Sequence, residues 1–216
     1  MKIILLFVLC ILSAAPILAQ DFDEGAASNV PPVVLWGLGV YGGINRPLGP
    51  DDFAYFWSTG YSLSMEADLL LRNDMVLGLT FGYARAPLNS NRFFAAKGLP
   101  KDADPLQDLD VGIVHLLLSF KGVESYQVYR WDWGYEFGFG LYNLSNTQLY
   151  VQYWGPETGY TVTEASTTSG GAFAGLSVKY LVTDTLQLSV KGRFHYVWVA
   201  PIHHQFLNIL VGVTIL

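Results

Sequence analysis

The 216-residue sequence is 51% hydrophobic and only 14% charged, with a mean hydropathy of +0.31, which is apolar for a soluble protein. Its formal net charge of −6 argues against a nucleic-acid-binding function, because phosphate contacts require clustered lysine and arginine. No long uninterrupted apolar run follows the N-terminal segment, and only helices and closed barrels satisfy the backbone in lipid, so the composition favours a barrel.

Residues 1–19 have the pattern of a secretory signal peptide. A lysine precedes an apolar stretch over Ile3–Leu12, and Ala19 is a small residue at the expected cleavage position. A membrane anchor is the alternative, but Ser13 and Pro16 interrupt the apolar stretch short of the roughly 20 residues that a spanning helix needs. We therefore expect export and cleavage near Ala19.

The one cysteine, Cys10, lies inside this segment. Leu9 precedes it where a lipoprotein signal usually has a small residue, so we expect Cys10 to be removed and the mature chain to lack thiol chemistry. Residues 20–32, with three acidic residues and paired prolines, are expected to form a loose periplasmic leader. A barrel domain over residues 33–216 follows.

Within that domain, apolar and polar residues alternate in eight segments, which predicts eight β-strands. They are Val33–Ile44, Gly60–Leu71, Met75–Ala86, Asp110–Phe120, Val128–Tyr142, Gly171–Leu181, Leu186–Trp198 and Phe206–Leu216. The long connectors are 45–59, 87–109, 143–170 and 199–205, and the short ones are 72–74, 121–127 and 182–185. Long extracellular loops and short periplasmic turns are typical of transmembrane barrels, so we expect both termini in the periplasm.

Large aromatic residues occupy one face of the most regular strands. A soluble sheet would bury such a face in a core, but this pattern outruns the usual strand of about five or six residues and recurs along the chain. We expect these aromatic side chains to face lipid: Trp131, Trp133, Tyr135, Phe137, Phe139, Phe194, Tyr196 and Trp198. The predicted fold class is all-β, a transmembrane antiparallel up-and-down barrel of eight strands.

The charged residues of the same strands fall on the opposite face, which is the expected lumen. They are Glu66, Asp68, Arg130, Asp132, Glu136, Lys179, Lys191 and Arg193, joined by His195. On the lipid face a charge would cost about 2–4 kcal/mol at the midplane. The bore of an eight-stranded barrel is just wide enough for side chains to fill, so we expect these four acids and four bases to pair as a plug.

The fourth predicted strand is apolar on both faces. We place His115 and Ser119 inward by taking Val114, Leu116, Leu118 and Phe120 as the lipid row.

The run Gly175–Leu181, the turn at Thr183 and the closing strand Leu207–Leu216 carry a family likeness, together with the signal peptide and the hairpin rhythm. In these features the chain resembles the small eight-stranded outer-membrane proteins of the OmpA/OmpX-like β-barrel superfamily. The resemblance implies a bacterial outer-membrane location, contact with outer-membrane lipids and lipopolysaccharide, and insertion by the barrel-assembly machinery. We expect a monomer. The chain ends in Leu216, where the family usually has an aromatic residue.

An enzyme is the alternative class, because Arg193-Phe194-His195 faintly resembles the PagL-type lipid A deacylases. Those pair a histidine with a nearby serine on one strand, which nucleophilic hydrolysis requires. Here Tyr196, Val197 and Trp198 follow His195. We therefore expect no catalysis and no cofactor, and a lumen His195 that is hydrogen-bonded to a carboxylate.

The remaining clusters sit in predicted loops. His203 and His204 lack a third ligand for a metal, so we expect a solvated loop tip. Asp102, Asp104, Asp108 and Asp110 lack the spacing of a known calcium loop. The aromatic segments 51–57 and 150–154 either bind a partner or belong to the aromatic girdle, which we favour.

The sequence therefore predicts a barrel with a charge-plugged lumen that serves envelope structure or surface binding and adhesion through its extracellular loops. A lipid-modifying enzyme and a small channel are the functional alternatives. A secreted soluble β-sandwich is the structural one.

Overall fold

The computed structural model describes residues 34–70, 75–100, 104–105, 109–124, 130–146, 149–152, 159–201 and 203–216. The predicted signal peptide and leader lie outside these ranges. Eight long strands form a closed antiparallel barrel, and two short helices and a small three-stranded sheet are the other elements of the described chain. Neither helix is long and apolar enough to cross a membrane.

In chain order the elements are β1 Val34–Gly49, α1 Asp51–Phe56, β2 Gly60–Leu70, β3 Met75–Pro87, α2 Ser90–Lys97, β4 Asp104–Pro105, β5 Asp110–Glu124, β6 Trp131–Asn146, β7 Leu149–Gln152, β8 Gly159–Val162, β9 Ala165–Thr183, β10 Leu186–Val197 and β11 His204–Ile215. The barrel order is β1-β2-β3-β5-β6-β9-β10-β11, closed by pairing of β11 with β1. Strands β4, β7 and β8 form the small sheet. The predicted fold class and all eight predicted strands are confirmed.

Several strands run further than predicted at the end with the long connectors, which the sequence predicts to be extracellular and which we call the extracellular end. The clearest case is β9, which begins at Ala165 and not at Gly171. The sequence prediction places this polar segment in the long connector 143–170. Its side chains instead pair across strands: Asn143 Nδ2 donates to Ser166 Oγ at 3.0 Å and to Thr168 Oγ1 at 2.9 Å. The β6–β9 hairpin thus continues as regular strand beyond its apolar section.

The exterior of the barrel carries the apolar residues and the interior the charges. Of the eight aromatic residues expected to face lipid, seven are 40–54% exposed, and Tyr196 is half-buried on the same outer face. Val190 and Leu176 are also exposed, whereas the residues that follow them in the chain, Lys191 and Ser177, are buried. On β5, His115 and Ser119 are buried and Leu116 is exposed, as the predicted register requires.

The connectors after β1 and β3 form a cap at the extracellular end. Helix α2 is capped by Asn89, whose side chain accepts from Arg92 N at 3.2 Å, and it ends at Gly98, where a φ of +67° favours glycine. Phe56 of the first connector packs edge-on against Phe93 of α2, with ring centroids 5.8 Å apart. The cap is therefore held by aromatic packing between the two connectors.

Candidate functional site

The centre of the barrel interior holds one carboxylate that three cations share. Glu66 on β2 is 4% exposed, and its Oε2 accepts from Lys121 Nζ at 2.9 Å and from Lys191 Nζ at 2.5 Å. Arg193 Nη2 lies 2.6 Å from Glu66 Oε1. Because β5 and β10 are not neighbours of β2 in the barrel, these ion pairs cross the bore.

Two further carboxylates complete what we define as the lumen charge network: Glu66, Asp68, Lys121, Glu136, Lys191 and Arg193. Arg193 donates to both oxygens of Glu136, with Nη2 2.8 Å from Oε2. Lys121 also donates to Asp68 Oδ1 at 2.6 Å. Three acids thus face three bases, so the network is balanced. Opening the bore would require buried ion pairs to separate, which is costly.

Not every charge expected in the plug belongs to this network. Lys179 and Asp132 face each other in register on β9 and β6, but no ion pair joins them, and Lys179 Nζ lies 5.9 Å above the ring of Trp36. The inward placement of Arg130 is wrong. It precedes β6 with a φ of +57°, and this left-handed conformation at the turn leaves its side chain exposed.

Lys121 is the network residue that sequence reasoning missed. The sequence prediction ends the fourth strand at Phe120 and places Lys121–Gln127 in a short connector, whereas β5 continues to Glu124. Extending the alternation of His115 and Ser119 by one further step would have placed Lys121 inward. Lys121 is 6% exposed and bridges Glu66 and Asp68.

On the extracellular side of the lumen charge network, His195 lies within a layer of aromatic rings. Phe206 stacks on its imidazole with centroids 4.5 Å apart at 10°, and Phe173 lies on the other side at 5.6 Å. Tyr142 Oη is 3.0 Å from His195 Nδ1, and Asn208 Nδ2 is 3.3 Å from Nε2. The expected carboxylate partner is therefore wrong, since Glu136 and Glu66 are already bound by cations.

A third layer closes the bore on the extracellular side with apolar side chains. Ala84, Ile113 and Val197 are all 0% exposed and pack in one apolar cluster. Along β10, the sequence Lys191, Arg193, His195, Val197 passes through the three layers in order. We call the apolar layer the stopper; it separates the lumen charge network from the extracellular mouth.

Beyond the stopper, the barrel opens into a pocket of about 400 Å³, the mouth pocket. Its apolar wall includes Phe53 of α1, Trp57, Val111, Leu144 and Val199. None of its described lining residues is an acid, a lysine or an arginine. The pocket is therefore chemically unlike the charged interior below it.

The aromatic segment 51–57 supplies part of this pocket, so the favoured interpretation as membrane girdle is wrong for Phe53 and Trp57. Phe53 is 5% exposed and packs edge-on against His204 at 4.7 Å. His203 instead packs on Tyr196 at 5.4 Å, so the two adjacent imidazoles have separate environments. His204 is half-buried and lines the mouth pocket, which corrects its assignment to a solvated tip.

The structure adds little about the other residue clusters in the predicted loops. Asp110 forms an ion pair with Arg85. Asp102 and Asp108 lie outside the described residues, and Asp104 is placed only as part of β4. No group of metal-binding side chains is found in the described ranges. Of the aromatic segment 150–154, only the backbone of β7 is described.

No protein-family model matches the chain, and no curated protein matches it. Several solved structures match the chain. Neisserial surface protein A, NspA, is 15% identical with a TM-score of 0.50 over 83% of this chain and 95% of that one. A major outer membrane protein from Thermus thermophilus is 12% identical, with a TM-score of 0.49 over 82% and 98% of the two chains. The outer membrane protease OmpT from Escherichia coli is 9% identical, with a TM-score of 0.45 over 87% and 99%.

At these identities the likeness shows the fold alone. The chain has the fold of the small outer-membrane β-barrels, which confirms the predicted resemblance at that level. The names of the matching structures describe a surface protein, a major membrane protein and a protease, so no activity is transferred from them.

Proposed function

We propose that this protein is a closed outer-membrane barrel that works by binding at its extracellular end and does not conduct ions through its bore. The observation that carries the proposal is the double closure of the interior. The lumen charge network crosses the bore, and the stopper closes it again on the extracellular side. A barrel whose bore is closed is better suited to binding at its surface than to transport.

An outer-membrane location is part of the proposal. It is supported by the N-terminal sequence pattern, by the exposed aromatic exterior and by the fold. Outer-membrane lipids and lipopolysaccharide would then contact the apolar exterior, and the barrel-assembly machinery would insert the chain as a monomer. Envelope structure and adhesion are both compatible with such a barrel.

Planar-bilayer recording tests the proposal. We expect at most rare, small current steps from the refolded protein, because ion passage requires separation of buried pairs and hydration of the stopper. A matched variant, Ile113→Ala, removes stopper volume while leaving the network intact and should also remain closed. Large, steady conductance of the wild-type protein would contradict the proposal and favour the small channel.

A lipid-modifying enzyme gains no support from the described geometry. His195 is 0% exposed and enclosed by aromatic rings, and its ring nitrogens face Tyr142 and Asn208 and not a serine hydroxyl. Mass spectrometry of lipid A from cells with and without the gene would test this alternative. Any acyl-chain difference would revive it.

A further inference from the structure

The mouth pocket has the size and composition of a small-molecule site. Its volume of about 400 Å³ falls within the range of roughly 300–1,000 Å³ that is usual for such sites, which are mostly apolar with a few polar groups. Phe53, Trp57 and Phe93 supply aromatic walls, and Val111 and Leu144 lie deeper. Four connecting segments meet here: those after β1, β3 and β10, and the one between β6 and β9.

The lining also specifies the charge of a ligand. No lysine, arginine or carboxylate is found among its described residues, so an ionised group would lose its hydration without compensation. Neutral polar groups do line one side. Thr167 lines the pocket in register with the inward Leu144, and His204 Nδ1 is buried without a hydrogen-bond partner in the described part of the chain.

We propose that the mouth pocket binds an uncharged, mainly apolar small molecule that carries one neutral hydrogen-bonding group, as a medium-chain alcohol does. The inference rests on the proposed function and gives its extracellular binding a ligand class. Because the stopper lies below the pocket, with Ile113 and Val197 fully buried, the ligand enters and leaves on the extracellular side. The site therefore captures the molecule and does not pass it through the barrel.

Photoaffinity labelling in phospholipid nanodiscs tests this, with a diazirine-bearing decanol as the probe. Wild-type protein should be labelled at peptides that contain Phe53, Trp57 or Thr167, and excess n-decanol should abolish that labelling. Decanoate at neutral pH should compete at least about tenfold less well, because its charge has no partner in the pocket. Labelling of the lipid-facing exterior should persist in both competitions.

Two matched variants on β9 locate the site. Ala165→Trp fills the pocket, in which Ala165 is a lining residue, whereas Ala174→Trp adds the same group to the exposed outer face. We expect competable labelling to fall at least about tenfold in the first and to stay unchanged in the second. A gel shift on heating shows that each variant has folded. Should Ala165→Trp fail to fold, the contrast between n-decanol and decanoate in the wild type decides.

Non-saturable labelling confined to the outer face, or equal competition by decanoate, would overturn the ligand inference. Bilayer recordings on the same preparations separate the two proposals. A silent barrel without competable labelling contradicts the ligand alone, whereas steady conductance contradicts the proposed function whatever the labelling shows.

Discussion

The barrel has two sections along its axis whose polarity is opposite. In the membrane section, β9 presents Leu176 and Val178 outward and Ser177 and Lys179 inward. In the extracellular section of the same hairpin, Asn143, Ser166 and Thr168 form an outer polar row, while Leu144 lies inside. The same two strands thus have an apolar outer face in one section and a polar outer face in the other, because lipid requires an apolar exterior and water tolerates a polar one.

The difference predicts that substitutions act by section and by face. In the membrane section the largest costs should arise inside, from stranded charges. In the extracellular section they should arise from lost packing and hydrogen bonds, and they should be smaller.

The largest effect is expected for Glu66→Gln, which leaves Lys121, Lys191 and Arg193 without their shared carboxylate. Removal of one partner of a buried ion pair destabilises by about 3–5 kcal/mol. Urea-induced unfolding in lipid vesicles measures this loss, with Asp132→Asn as the control because no ion pair joins Asp132 to a described residue. Equal stability of the two variants would mean that the network does not hold the barrel together.

Phe137→Arg should come next, because Phe137 is 54% exposed in the membrane section. A charge on the lipid face near the midplane costs about 2–4 kcal/mol. Ser166→Arg on the outer face of the extracellular section should lose only the contact with Asn143, about 1 kcal/mol. Insertion yield and unfolding free energy distinguish them, and similar losses in both would show that the sections do not differ in environment.

A third comparison lies within the interior, between two buried lysines. Lys121→Met removes the bridge from Glu66 to Asp68 and should cost about 1–3 kcal/mol, since Glu66 keeps two other cations. Lys179→Met should be neutral or slightly stabilising, because Lys179 has no ion pair in the described chain and its burial is uncompensated. The unfolding midpoints should therefore move in different directions or by clearly different amounts.

The smallest effect is expected for Asn143→Ala, which removes the exposed side-chain hydrogen bonds to Ser166 and Thr168 in the extracellular section. We expect a loss of about 0.5–1 kcal/mol, with earlier hydrogen exchange in the ends of β6 and β9 as the sharper readout. Unchanged exchange protection there would mean that the polar row does not order the hairpin.

Periodicity alone identified the strands and their faces, because lipid enforces it residue by residue. Periodicity failed at the strand ends, where the surroundings of the outer face change from lipid to water. The polar extension at Ser166 and Thr168 resembles a loop in sequence although its backbone is fully paired. The predicted end of the fourth strand at Phe120 likewise left Lys121 in a connector.

The partners inside the barrel depend on closure and not on neighbouring residues. The contact of Glu66 with Arg193 joins strands far apart in the chain, and no alternation pattern specifies it. The mouth pocket likewise requires α1, α2 and the ends of several strands to meet. Phe53 and Trp57 could therefore be recognised as aromatic from the sequence, but not as walls of one cavity.

The interior charges are also divided by their order in the chain. The first five barrel strands, through β6, supply every interior acid of the plug prediction, Glu66, Asp68, Asp132 and Glu136, with Lys121 as the one base among them. The last three strands supply Lys179, Lys191 and Arg193. The two parts are thus oppositely charged. Within each part the like charges repel one another until the other part pairs with them. Neither half is neutral alone, so the interior charges are neutralised only when the barrel closes. Halves divided between β6 and β9 should refold together from separate polypeptides more readily at low salt than at high salt, as a gel-shift assay would show.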